Sequence, residues 1–200
     1  MRGRAVVSHV FGIEGGHSND PADRGGETQY GISLRFLIAH GHIDANRDGL
    51  IDLDLNLDTV IDGRDVRELA KHPDKAVGIY LDYFWVPKPP AFWALPRPFD
   101  GALFDQAVNG GTTAAIKILQ RALNAQFRTL FGLEPLTADG VLGAKTRERL
   151  ALAVERDPVA ALQRYRDAAS DRYRAIAKAD SSQAKYLGGW LARAARLGNV

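Results

Sequence analysis

Residues 14–32 hold five glycines, a proline and four carboxylates, directly after an apolar stretch of helical period. Glycines at this density weaken a helix and supply the positive φ that tight turns need, so the stretch reads as a compact folded-back loop. Val6, Val7, Val10 and Phe11 share one helical face, and the pattern stops at Gly15-Gly16, which puts Glu14 at a helix C-terminus. The negative end of the helix dipole disfavours an ionised carboxylate there. A general acid needs that bias, because it must hold its proton near neutral pH. The plain alternative is a surface glutamate ahead of a glycine cap.

Within the loop, Asn19-Asp20-Pro21 and Arg24-Gly25-Gly26 are turn signals, and Thr28 and Tyr30 alternate as strand residues do. Residues 17–32 therefore read as a small hairpin or β-lobe. A helix end followed by a hairpin can turn an acid, Glu14, a second carboxylate, Asp23, and a hydroxyl, Thr28, toward one cleft. In inverting glycosidases the second carboxylate helps activate a water, which a threonine hydroxyl could hold in place. Asp20 and Glu27 compete with Asp23 for that second role.

The chain of 200 residues is long enough for one substantial domain, or for a domain with a small lobe. It has no cysteine, which excludes disulfides, a thiol nucleophile and thiolate metal sites. No apolar run approaches the roughly eighteen residues of a membrane span, so stable membrane insertion is not expected. The basic start at residues 1–9 has too short an apolar stretch, and no cleavage pattern, for a signal peptide. Charge is uneven: residues 1–116 carry 11 Lys and Arg against 16 Asp and Glu, whereas residues 117–200 carry 15 against 8. The basic half suits a polyanion such as a wall polymer, or is a set of solvated helix faces.

Residues 44–53 (DANRDGLIDL) and 54–63 (DLNLDTVIDG) form a ten-residue repeat with five identities. Each copy has the D-x-N-x-D order of an EF-hand-like loop, whose oxygen ligands alternate along the chain. The first has Gly49 at position six but Leu55 at position twelve; the second has Thr59 where glycine is expected and Asp65 at position twelve. Neither is complete. Seven aspartates in the twenty-two residues 44–65 repel one another unless solvent or a cation compensates. A structural calcium is the cation expected, with Asp44, Asn46, Asp48 and Asp52 as ligands and Asp65 as closing carboxylate; a solvated acidic loop is the alternative.

Elsewhere the pattern is helical. Ser33 caps a short helix ending near Gly41, Asp65-Val66-Arg67-Glu68 reads as a capping box, and Pro73 opens a helix carrying Val77, Tyr80, Leu81, Phe84 and Trp85. Over the proline-rich residues 87–98, Trp93 could stack on a sugar ring or pin the segment. Asn109, beside Gly110-Gly111, could bond an acetamido group or cap its helix. Asp139-Gly140 makes a turn before a helix carrying Leu150 and Val154. Asp157-Pro158 opens a long helix with Val159, Leu162, Tyr165, Ala169, Tyr173 and Ile176 inward, and a last helix carries Trp190 and Leu191.

The pattern E-G-G-x6-D-x2-G-G-x-T-x2-G-I at residues 14–32 resembles the glycoside hydrolase family 108 signature of endolysin-type muramidases. Ile79-Tyr80-x2-Tyr83-Phe84 is similar to the same family's pattern. Phe99-Asp100-x4-Asp105, Leu119-Gln120-x2-Leu123, the Asp139-Gly140-Val141-Leu142-Gly143-x2-Thr146 turn and Gly189-Trp190-x2-Arg193 resemble the peptidoglycan-binding module that accompanies it. The resemblance implies a mainly α, lysozyme-like fold with a small β-hairpin lobe. It implies a catalytic segment over residues 1–90, with the acidic insert at 44–65, and a wall-binding segment over 99–200, packed as one body.

The implied activity is hydrolysis of the β-1,4 bond between N-acetylmuramic acid and N-acetylglucosamine in bacterial peptidoglycan, with Glu14 as acid and no cofactor needed for catalysis. Asp23 and Thr28 take the water-directing role, and Tyr30, Trp93 and Asn109 are the candidate glycan contacts. The partner is peptidoglycan rather than nucleic acid, and the chain is expected to be a monomer made in a host cytoplasm and acting in the periplasm. A lytic transglycosylase and a non-catalytic wall-binding protein are the alternatives.

Overall fold

The computed structural model describes residues 5–7, 16–19, 26–41, 49–85, 92–130 and 134–199. The chain forms two compact units, Met1–Tyr83 and Phe84–Val200. The fold is mainly α with a small antiparallel hairpin, as the sequence predicts.

In the first unit, strands β1 (Thr28–Gln29) and β2 (Ile32–Ser33) pair in the register Thr28 to Ser33 and Gln29 to Ile32. Tyr30 and Gly31 form the two-residue turn between them, with φ of 52° and 76°. Paired positive φ values give a turn whose twist matches that of the strands. Tyr30 is thus a turn residue rather than the alternating strand residue its spacing suggests. Its carbonyl accepts a hydrogen bond from Tyr80 Oη at 2.9 Å, which holds this uncommon conformation against the core. Ser18 and Thr28 exchange two backbone hydrogen bonds of 2.8 Å and so extend the hairpin by one bridge.

Helix α1 (Leu34–His40) is capped by Ser33, whose hydroxyl accepts from Phe36 N, and stops at Gly41. Helix α2 (Gly63–Lys71) opens on a capping box formed by Asp62 and Asp65, three residues earlier than the Asp65–Glu68 box expected from sequence. Helix α3 (Pro73–Tyr80) has proline at its first turn and continues into a π-helical turn, Leu81–Trp85. Val6, Val7, Ile32, Leu37, Val66, Leu69 and Tyr80 make the core of this unit.

The second unit begins with Trp85 set edge-on to Phe104 at 5.3 Å, and a 3-10 turn at Phe92–Ala94. Helix α4 (Phe99–Gly110) is buried from Phe99 through Ala107. It packs on α5 (Thr112–Leu130), and α6 (Ala144–Arg156), α7 (Pro158–Ala179) and α8 (Leu187–Arg196) complete the unit. Helix α7 is the hub, touching α5, α6 and α8. Asp157 caps it through Ala160 N at 2.9 Å, and Tyr165, Ala169 and Tyr173 point inward as expected. Val159, expected inward, is 77% exposed, because the first turn of α7 packs through Ala161, which is buried, and Val159 lies off that face.

Candidate functional site

Glu14 and Asp23 lie outside the described residues, as do Asp44, Asn46 and Asp48. What is described of the expected catalytic region is the hairpin that follows Glu14. Thr28 is half-buried on β1, and its hydroxyl donates to Gly26 O at 3.0 Å. Its one proton is committed to that bond, so toward any other partner the oxygen can only accept.

Beside Thr28 is an ionic cluster. Glu27 is buried, and its carboxylate accepts from Arg67 Nη1 at 2.8 and 2.7 Å and lies 2.7 Å from His17 Nε2. Burial works against ionisation, but the bonds from His17 and Arg67 outweigh it and hold the Glu27 carboxyl below the usual glutamate range. Glu27 is therefore a fixed negative charge, the opposite of what a general acid needs. Gly63 makes the arrangement feasible, since a Cβ there would run into Glu27 Oε2. The cluster ties the hairpin to the first turn of α2.

Asp65, the expected closing metal ligand, is fully buried and engaged. Its Oδ1 accepts from Leu55 N at 2.7 Å and Asn56 N at 3.2 Å, and its Oδ2 from Asp62 N at 2.8 Å. Asp54, Asn56 and Asp58 likewise accept amides from residues two to five positions on. The second acidic copy is thus organised by its own backbone. Asp52 is half-buried near Tyr83, whose hydroxyl is pushed up by burial and then by the charges of Asp52 and Asp82. Among the described residues no group of three or more His, Cys, Asp or Glu side chains is placed to hold a metal ion.

In the second unit, Phe92 rather than Trp93 is the buried anchor of the proline-rich segment; Trp93 is 58% exposed. Asn109 donates to Tyr173 Oη at 2.7 Å, and that hydroxyl donates to Gln106 Oε1 at 3.0 Å. The end of α4 is capped by Gly111, not Asn109. Gln120 on α5 clamps the Asp139-Gly140 turn: its Nε2 donates to Asp139 Oδ1 at 2.7 Å, and its Oε1 accepts from Gly140 N at 3.0 Å. Arg193 Nε donates to Asp105 Oδ1 at 2.6 Å in a buried ion pair.

Residues 7–111 match the family model described as Glycosyl hydrolase 108. The chain belongs to the glycosyl hydrolase 108 family. Residues 114–195 of this glycosyl hydrolase 108 protein match a second model, described as a Predicted Peptidoglycan domain. The solved structure titled "Structure of Brucella abortus SagA" is similar to it, with 27% identity, a TM-score of 0.66, and coverage of 99% of this chain and 92% of that one. No curated protein matches at a significant level. These matches support a peptidoglycan hydrolase of the glycoside hydrolase type.

Sequence reasoning about this glycosyl hydrolase 108 chain missed the His17–Glu27–Arg67 cluster and the Asp105–Arg193 pair. Glu27 was visible as a loop carboxylate, but Arg67 is 40 residues away and carries no periodic signal. A buried-charge argument could have asked what compensates a carboxylate between glycine turns and a strand, without naming the partner.

Proposed function

We propose that the protein hydrolyses the β-1,4 bond between N-acetylmuramic acid and N-acetylglucosamine in peptidoglycan. Glu14 protonates the leaving oxygen, and Asp23 with Thr28 directs a water to the anomeric carbon. The observation that carries this reading is the family match over residues 7–111, which spans all three residues and is followed at once by the peptidoglycan-domain match over 114–195. Two features favour this division of roles. Glu27 is held ionised by Arg67 and His17, which leaves the acid role to Glu14. The hydroxyl of Thr28 is already donating to Gly26 O, so a water held there points one hydrogen at Thr28 and its other at a carboxylate. Such a water presents a lone pair to carbon.

The test is clearing of a turbid suspension of purified sacculi, with the released fragments weighed by mass spectrometry. Glu14→Gln should clear at least about a hundredfold more slowly at unchanged helix content, since general acid catalysis contributes about that much or more. Wild-type products should carry reducing ends. Anhydro ends, lighter by one water, would make the enzyme a lytic transglycosylase, and wild-type clearing by Glu14→Gln would end the assignment.

A further inference from the structure

Between the α4–α5 turn and α7 there is a cavity of about 400 Å³ lined by Gly110, Gly111, Thr112, Thr113, Lys117, Arg121 and Arg172. Three cations line it and no carboxylate does. Among the described residues no ion pair ties Lys117, Arg121 or Arg172 to a carboxylate. The buried Nε of Arg172 has no hydrogen-bond partner. An unsatisfied buried guanidinium nitrogen is costly in a folded protein and calls for an occupant.

The neighbouring acids are engaged elsewhere. Arg121 and Arg172 also line an adjoining hollow with Asp167 and Asp171, but Asp167 accepts from Gln163 at 2.9 Å and Asp171 pairs with Arg174 at 3.2 Å. Asp139 lies within the field of Lys117, and its carboxyl is held low chiefly by Gln120 and by Val141 N. The wall of the cavity itself thus presents Lys117, Arg121 and Arg172 and no carboxylate. Its volume lies within the range of about 300–1,000 Å³ usual for small-ligand sites. Two planar guanidinium forks beside an ammonium suit a carboxylate, which they can meet in bidentate fashion.

We propose that this cavity binds the carboxylate-bearing peptide branch of peptidoglycan, so that the second unit reads the peptide while the glycan is cut elsewhere. The proposal rests on the peptidoglycan reading above, because the match over residues 114–195 selects a wall peptide over other carboxylates. A phosphodiester wall polymer offers rival anionic chemistry, and the test separates the two.

The experiment is calorimetric titration of the full chain with three probes: the disaccharide GlcNAc–MurNAc bearing a tetrapeptide, the same disaccharide with its lactyl carboxyl capped as a simple amide in place of the peptide, and inorganic phosphate. The first contains no bond that a muramidase cuts. Wild type should bind the peptide-bearing form at least about tenfold more tightly than the capped one. Arg121→Gln, Arg172→Gln and Lys117→Gln should each remove most of that preference, leaving unchanged the affinity for the capped disaccharide and the rate at which new reducing ends appear in soluble glycan strands stripped of peptide by an amidase. Arg121 is exposed, so its variant carries the test if Arg172→Gln fails to fold. Equal binding of both disaccharides by wild type, or phosphate binding without a peptide preference, overturns the proposal. If the wild type clears sacculi but shows no preference, only this proposal fails; if it neither clears nor binds them, the peptidoglycan reading fails with it.

Discussion

At the scale of single residues, the Asp105–Arg193 pair shows what a motif can and cannot disclose. Asp105 belongs to the Phe99-Asp100-x4-Asp105 pattern and Arg193 to Gly189-Trp190-x2-Arg193, each of which resembles the family's own. That they meet was not legible. Two charges 88 positions apart leave no period, and only the folding of α8 beside α4 brings them within 2.6 Å. Removing one partner strands the other charge in the core, which costs about 3–5 kcal/mol, while replacing both with apolar residues is often neutral. Arg193→Leu should therefore lower the unfolding free energy in urea by about that amount. The double variant Asp105→Leu/Arg193→Leu should recover most of the loss. A single variant as stable as wild type would show that the pair contributes nothing.

Elements were more legible than pairs, because caps and turns are local. Ser33, Pro73 and Asp157-Pro158 start their helices where the sequence places them. The start of α2 shows the limit. Both Asp62-x2-Asp65 and Asp65-x2-Glu68 fit a capping box, and what decides between them is tertiary: Asp65 reaches back to the amides of Leu55 and Asn56. Glycine was expected at position six of the second acidic copy, and Thr59 there has φ of 71°, a conformation that suits glycine and strains a β-branched residue. Relief of that strain, about 1–2 kcal/mol, exceeds the extra entropy glycine gives the unfolded chain, about 0.5–1 kcal/mol. Thr59→Gly should thus raise unfolding stability by up to about 1 kcal/mol, and Thr59→Val should not. A loss of stability on Thr59→Gly, measured by urea unfolding, would mean that the threonine side chain holds the loop.

For the whole molecule, the limits of the two family matches do not coincide with the structural units. The family match runs to residue 111, yet α4 packs with the helices of the second unit, and the division falls between Tyr83 and Phe84. Sequence marks a boundary at the proline-rich residues 87–98; packing decides it by where apolar faces find partners. Electrostatics also acts at this scale. Glu27, Asp62 and Glu68 in the first unit, and Asp139 and Asp180 in the second, are all held below their ordinary pKa values. A carboxyl depressed in the native state binds protons less readily than in the unfolded chain. Its stabilisation is complete above the unfolded value, 4.5 for Glu and 3.8 for Asp, and is lost as pH falls through the lower native value. The melting temperature should therefore hold steady from pH 7 to about 5 and then fall steeply below 4.5. In 1 M salt, where the screening length is about 3 Å, Asp62 should lose part of the share it draws from Arg64, whereas Asp139 and Asp180, held low by hydrogen bonds from Gln120, Val141 N and Ser182, and buried Glu27 should keep most of theirs. Glu27→Gln should consequently flatten the acid limb even at high salt. If it leaves the limb unchanged there, the His17–Glu27–Arg67 cluster does not couple protonation to folding.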